Sequence, residues 1–166
     1  MKKALVSVSE KRGIRKFASD LSDLGIDIIA TEGTASEISQ NKVPVIRVSD
    51  FTGFSELLGG RIKTLHPTIH AAIATAEISI VIVNLIPMIS IESMDIGGIA
   101  LLKSAIKNFK NVAAVTDPDQ YDGIIEEISS KGDVSPKTRL KLAIRASAYI
   151  VEYESHVNKI LASAAQ

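Results

Sequence analysis

The sequence has no cysteine, no net charge and no long apolar run, and each absence excludes a class of protein. Without cysteine there is no disulfide, thiolate metal site or cysteine nucleophile. Nineteen basic residues balance nineteen acidic ones, so no overall field attracts nucleic acid or a membrane surface. The most apolar stretch, residues 78–89, is interrupted by Asn84 and Pro87 and is shorter than the ~20 residues that span a bilayer. The apolar run at the start is also too short for a signal peptide, so we expect a cytoplasmic protein.

What is present indicates one globular domain. The chain has 166 residues, of which 46% are hydrophobic and 23% charged, as in ordinary globular proteins. No repeat, linker or low-complexity tract divides it, so we treat residues 1–166 as a single domain.

Strand and helix patterns alternate along the chain. Runs of strand formers occupy residues 4–8, 27–30, 44–48, 78–85 and 112–115. Helical spacing of apolar residues appears at 14–24, 34–40 and 99–108, and Asp117-Pro118 and Ser135-Pro136 resemble helix starts. Leu140, Ile144, Ala148 and Val151 give the tail helix an apolar stripe. The alternation predicts an α/β fold with a parallel sheet covered by helices.

Polar clusters follow the first two strands, where parallel α/β sheets bind ligands. The residues concerned are Ser7, Ser9 and Lys11 at the end of the first strand and the start of the next helix, and Thr31, Gly33 and Thr34 at the end of the second strand. Hydroxyls, an ammonium group and free N–H groups at a helix start suit a phosphate. The alternative is that Ser9 only caps a helix, that Lys11 is a solvated charge and that the second cluster is a capped turn.

Residues 51–70 form a loop-rich segment that contains basic residues and two histidines. Arg61 and Lys63 share a face if this segment is extended, and both can contact an anion or a carbonyl oxygen. His66 and His70 have the spacing of metal ligands on a helix. Pro67 lies between them and no acidic partner accompanies them, so we reject a metal site and expect structural roles.

A fourth cluster consists of Asp95-Ile96-Gly97-Gly98 and the helix that follows. Lys103 and Lys107 are four residues apart on one face of this helix. Taken alone, Asp95 fits a helix cap and Lys107 a surface charge.

Together these segments resemble the IMP cyclohydrolase domain of the bifunctional purine-biosynthesis protein. The matching motifs are Leu-Val-Ser-Val-Ser-Glu-Lys (5–11), Thr-Glu-Gly-Thr-Ala (31–35), Val-Ser-Asp-Phe-Thr-Gly-Phe (48–54), Gly-Gly-Arg-Ile-Lys-Thr-Leu-His-Pro (59–67), Asp-Ile-Gly-Gly (95–98) and Lys-Asn (107–108). The resemblance covers nearly the whole chain, and the block at 59–67 is its most specific part.

The resemblance implies a fold, a reaction and a set of site residues. The fold is methylglyoxal-synthase-like, a three-layer α/β/α domain with a mainly parallel five-stranded sheet. The reaction closes the ribotide FAICAR to IMP with loss of water and needs no metal or cofactor. Lys63, Asp95 and Lys107 are implied to be catalytic. The implied substrate-binding residues are Ser7, Ser9, Lys11, Thr31, Gly33, Thr34, Arg61, Thr64, Asn84, Ile96 and Gly97. The family also suggests a homodimer.

The sequence departs from the family in three places. Ile86 replaces a tyrosine with a proposed proton-shuttling role, and isoleucine cannot move a proton. Glu32 replaces a common glycine beside the phosphate loop, and we expect its side chain to face solvent because an inward anion would repel phosphate. The segments after Ala74 and between Ile89 and Asp95 are shorter than in most members. The formyltransferase half is not in this sequence, so we expect a separate enzyme to supply FAICAR.

Two alternatives share the fold. A nucleotide-binding regulatory module is favoured by Ile86 and opposed by the trio Lys63, Asp95 and Lys107. Methylglyoxal synthase shares the phosphate cradle, but the intact 59–67 block is typical of the cyclohydrolase.

Overall fold

The computed structural model describes residues 2–54 and 62–164 of the chain. Its strands are β1 (Lys3–Val8), β2 (Asp27–Ala30), β3 (Val45–Arg47), β4 (Ile78–Asn84) and β5 (Ala113–Val115). The helices of this described part are α1 (Ile14–Asp23), α2 (Glu32–Ser39), α3 (Val48–Thr52), α4 (Pro67–Ala74), α5 (Ile96–Lys107), α6 (Tyr121–Lys131) and α7 (Pro136–Ala164). Every predicted strand is present, and each end lies within one residue of the prediction.

The strands form one sheet in the order β3-β2-β1-β4-β5, and every neighbouring pair is parallel. β1 and β4 are central, and all seven residues of β4 are buried. The chain winds outward from β1 in one direction and then, through β4 and β5, in the other. The gap between the carboxyl ends of β1 and β4 is therefore a topological switch point, where such sheets bind ligands.

Helices cover both faces of the sheet, which confirms the three-layer α/β/α prediction. Successive strand residues point to opposite faces. On β1, Ala4, Val6 and Val8 pack in a core that includes side chains of α1 and α6. Leu5 packs in the other core, with side chains of α4, α5 and α7.

The structure corrects one detail at each of two helix starts. α1 begins at Ile14, as predicted, but its N-cap is Gly13 (φ 71°), so Ser9 does not cap this helix. α5 starts at Ile96, earlier than predicted, because the Asp95 side chain accepts a hydrogen bond from the Gly98 N–H (2.8 Å) and caps the first turn.

The 29-residue helix α7 packs on the sheet through one side only. Its buried residues are Leu142, Ala143, Ala146, Ile150, Tyr153 and Val157. The predicted stripe is a different one: Leu140, Ile144 and Val151 are 47%, 62% and 64% exposed. Both stripes have helical spacing, so periodicity did not distinguish the packed side. Across the described residues, no helix combines the length and hydropathy required to cross a bilayer.

Candidate active site

A cavity of about 490 Å³ opens at the switch point of the sheet. The predicted site residues that line it are Ser7, Ser9, Lys11, Thr31, Gly33, Thr34, Lys63, Thr64, Asn84, Asp95 and Ile96. Ile86, Glu92, Ser93 and Met94 belong to its wall as well. The parallel sheet thus brings together side chains that follow β1, β2 and β4, as the strand-end argument predicted.

One part of this wall is suited to an anion. The Lys11 ammonium donates to the Val8 carbonyl oxygen and to the Thr34 hydroxyl (2.9 Å for the second contact). The Thr31 hydroxyl donates to the same Thr34 oxygen (3.3 Å). Burial lowers the pKa of Lys11, and the Glu37 carboxylate opposes this effect. A half-buried ammonium beside hydroxyls gains from a bound anion, because the anion restores the solvation that burial removes.

Asn84 fixes the loop that follows β1. Its side-chain oxygen accepts hydrogen bonds from the backbone N–H groups of Ser9 (2.5 Å) and Glu10 (2.8 Å). Its amide nitrogen donates to the Glu10 carbonyl (3.0 Å). Asn84 is buried, so these bonds satisfy its amide and join the ends of β1 and β4. Its observed role is thus to shape the cavity, of which it also forms part of the wall.

Asp95 is held from several directions. One carboxylate oxygen accepts from the Gly98 N–H, and the other accepts from the Ile86 N–H (3.1 Å). The backbone N–H of Asp95 donates to the Tyr153 hydroxyl (2.9 Å). Asp95 therefore caps α5, as expected, and it also lines the cavity. Such a network orients a carboxylate before any ligand arrives.

Lys63 lies in a short 3-10 turn, Lys63–Leu65, and forms an ion pair with Glu32. The side chains are 13% and 23% exposed, respectively. The expectation that Glu32 faces solvent is wrong, because its carboxylate is directed at the Lys63 ammonium. Lys63 thus gives this carboxylate a cationic partner beside the cavity.

Lys107 does not reach this cavity. It lies in the last turn of α5, whereas Asp95 caps the first turn, and a 12-residue helix is roughly 18 Å long. Lys107 is exposed and lines a separate groove between α5 and α7 with Ile106, Val151 and Glu154. Within one chain, the structure therefore separates this predicted catalytic residue from Asp95 and places it outside the cavity that Lys63 lines.

The remaining predicted residues have varied positions. Thr64 is buried in the wall, whereas Ile96 is 56% exposed at its rim. Gly97 is buried in the first turn of α5, next to the cavity residues. Arg61 lies outside the described residues.

Two tyrosines of α7 support the site, and the sequence reasoning missed them. The Tyr149 hydroxyl accepts from the Leu85 N–H (2.9 Å), just as the Tyr153 hydroxyl accepts from the Asp95 N–H. Burial raises the pKa of both phenols. They also line a neighbouring cavity of about 500 Å³ that shares the wall formed by Asn84. The sequence did contain a signal for them. Tyr149 and Tyr153 are four residues apart and so share a helix face, and a buried tyrosine hydroxyl needs a hydrogen-bond partner.

The two histidines have the structural roles that we predicted. His66 caps α4, where its ring nitrogen accepts from the Thr68 N–H (3.3 Å). The His70 Nδ1 atom lies 2.7 Å from the Ser104 hydroxyl oxygen. Each ring is therefore engaged by the protein itself.

Comparison with known proteins agrees with the fold and the motifs. Residues 13–114 match the MGS-like domain model, and residues 105–166 match the AICARFT/IMPCHase bienzyme model. The bifunctional purine biosynthesis protein PurH of Persephonella marina is 38% identical over 96% of this chain, and that of Ruminiclostridium cellulolyticum is 40% identical over 97%. These matches cover 36% and 37% of the relatives, so the chain spans little more than a third of their length.

The Persephonella alignment runs over 187 residues, more than this chain contains, so the relative has insertions that this chain lacks. This agrees with the shorter segments expected from the motifs. A solved structure, the crystal structure of ForH, superposes with a TM-score of 0.85 and 30% identity, covering 96% of this chain and 98% of that one. Since fold, family model and relatives agree, the chain belongs to the MGS-like domain family and is homologous to the IMP cyclohydrolase part of PurH.

Proposed function

We propose that this chain is an IMP cyclohydrolase, which closes FAICAR to IMP with loss of water. The observation that carries the proposal is one cavity that contains an anion cradle around Lys11 together with Lys63 and an oriented Asp95. Its volume, about 490 Å³, lies within the range of small-molecule sites. Homology to PurH supports the same reaction.

The substrate phosphate binds at the carboxyl ends of β1 and β2. Lys11 supplies the charge, and the hydroxyls of Thr31 and Thr34 supply further donors. We place Ser7, Ser9 and the N–H groups around Gly33 in the same cradle, because all of them lie on this wall. This end of the ligand fixes the position of the reacting groups.

The ring closes when the carboxamide nitrogen attacks the formyl carbon of the same molecule. Both reacting groups belong to one substrate, so holding them in contact supplies much of the rate enhancement. The formyl oxygen gains negative charge and leaves as water after taking up protons, and the Lys63 ammonium is the donor for it. Asp95 accepts the hydrogen bond of the carboxamide N–H and draws its proton away as the new C–N bond forms.

Ile86 stands where the family has a tyrosine, so this chain lacks that side chain for proton transfer. Its side chain is apolar and 48% exposed, but its backbone N–H donates to Asp95. The residue therefore helps to orient the carboxylate even without the family tyrosine. Proton transfer in this chain falls to Lys63, Asp95 and water.

A matched pair of substitutions tests these roles. Asp95→Asn replaces one carboxylate oxygen with an amide group, so IMP formation from FAICAR should fall at least a hundredfold. Asp117→Asn is the control, since Asp117 is also an N-cap residue, of the 3-10 turn Pro118–Gln120, but does not line the cavity. Equal loss in both variants, or in neither, contradicts the role of Asp95.

The second candidate is a nucleotide-binding regulatory module of the same fold. Ile86 favours it, and so does the distance of Lys107 from the cavity. Such a module binds IMP but does not convert FAICAR, which distinguishes the two candidates directly.

We also propose that the protein forms a homodimer through the outer side of α7. The exposed side chains of Leu140, Ile144 and Val151 support this, because contiguous apolar surface favours association. Val151→Glu should shift the mass measured by light scattering from dimer to monomer, and Leu24→Glu, at the exposed residue that follows α1, should not. A monomeric parent protein contradicts the proposal.

The cellular context belongs to the same proposal. In it, an upstream formylation reaction supplies FAICAR, and the protein works in the cytoplasm with purine synthesis.

A further inference from the structure

The ion pair between Glu32 and Lys63 joins two parts of the site that are far apart in sequence. Glu32 is the first residue of α2, and Lys63 begins the 3-10 turn that precedes α4. The two side chains retain only 23% and 13% of their exposure. A pair this shielded is screened less than a surface pair, so its geometry constrains both side chains.

Glu32 pairs with Lys63 but is not among the described residues that line the cavity. Lys63 lines it, and so do Thr31 and Gly33 on either side of Glu32. The carboxylate therefore holds the ammonium, while other residues form the lining. This arrangement resembles the support of a catalytic group by a residue that does not touch the substrate.

The two lysines of the cavity are held by different kinds of partner. Lys11 donates to a carbonyl and a hydroxyl, which are uncharged, so its positive charge is available to a bound anion. The charge of Lys63 is balanced by a carboxylate. Lys11 is thus suited to holding a phosphate, and Lys63 is suited to acting as a directed donor.

We propose that Glu32 is a positioning residue for ring closure, which fixes the Lys63 ammonium at the formyl oxygen. The proposal rests on the proposed function. Glu32 then has opposite effects on turnover and on binding. It orients the proton donor, but its negative charge lowers the positive potential that attracts the anionic substrate. Removing the carboxylate should therefore lower kcat and lower KM together.

Glu32→Gln is the decisive variant, because it keeps the shape of the side chain and removes its charge. We expect kcat with FAICAR to fall on the order of tenfold, since misplacing a catalytic group is costly. KM should fall about threefold, since removing a negative charge beside the cavity raises the positive potential that attracts the anionic substrate. Glu77→Gln is the matched control: Glu77 pairs with Lys3 (2.8 Å) at the opposite end of the sheet. Circular dichroism establishes that each variant is folded.

A double-mutant cycle shows whether Glu32 acts through Lys63. In a Lys63→Met background, Glu32→Gln should produce no further fall in kcat. An equal fall in both backgrounds, or unchanged kinetic constants in the single variant, overturns the proposal and leaves the proposed function standing. A parent protein that does not convert FAICAR overturns the proposed function and this proposal with it.

Discussion

Replacing Gly98 with alanine should disturb Asp95 directly, because the added methyl group meets its carboxylate. A Cβ atom at position 98 would lie 2.6 Å from the Asp95 Oδ2 atom and 2.6 Å from the Leu85 Cδ2 atom. Ordinary contacts begin near 3.4 Å, so the carboxylate or the helix has to move by nearly 1 Å. The Asp-Ile-Gly-Gly motif thus has a steric reason for its second glycine.

Both stability and turnover should respond to Gly98→Ala. Overpacking a core costs about 1–3 kcal/mol, and alanine returns about 0.5–1 kcal/mol as the better helix former. We expect the free energy of unfolding to fall by roughly 1–2 kcal/mol, measured by denaturant titration. A shift of ~1 Å in a catalytic group can cost about a hundredfold in rate, so IMP formation should fall by that order.

Gly123→Ala is the matched control in another helix. No heavy atom lies within 4 Å of the Cβ position there, and α6 is regular at this point. This variant should gain about 0.5–1 kcal/mol in the free energy of unfolding and keep the parent rate. If Gly98→Ala also keeps the parent stability and rate, the account of a sterically fixed Asp95 is refuted.

Three further predictions concern other parts of the molecule. Tyr153→Phe removes the hydroxyl that holds the α5 cap residue, so the free energy of unfolding should fall by about 1–3 kcal/mol in denaturant titration and kcat should fall with KM little changed. Lys11→Ala should weaken IMP binding, measured by calorimetry, at least tenfold. Lys63→Ala should mainly lower turnover. Equal IMP affinity in Lys11→Ala and the parent would refute the anion cradle around Lys11. The Ser135 hydroxyl, with smaller contributions from neighbouring donors, lowers the pKa of Glu127 to about 2 from an ordinary 4.5. Because this pKa is depressed on folding, its contribution to stability is complete above pH 4.5 and is lost as the pH falls towards 2, so Glu127→Gln should flatten the stability profile in that window.

The sequence was sufficient for the sheet because its strands are short runs of apolar strand formers. Burial of all seven residues of β4 and of Ala4, Leu5, Val6 and Val8 in β1 reproduces those runs. The place of the site followed as well, since parallel strands bring their carboxyl ends to one edge. Polar residues after β1, β2 and β4 therefore meet in one cavity.

The parts that sequence did not predict depend on three-dimensional contacts between distant segments. The partner of Glu32 lies 31 residues away, and no local pattern distinguishes a solvated glutamate from a paired one. The Tyr149 and Tyr153 hydroxyls accept hydrogen bonds from backbone N–H groups that lie 64 and 58 residues away in the sequence. Lys107 shares a motif with the family site, but the length of α5 separates it from the cavity.

The most direct test of the central claim is to mix the purified protein with FAICAR and follow IMP formation by ultraviolet absorbance, with IMP binding measured by calorimetry on the same sample. The account predicts multiple turnovers together with IMP binding. Binding of IMP without conversion of FAICAR would contradict it and would favour a regulatory module that uses the same cavity.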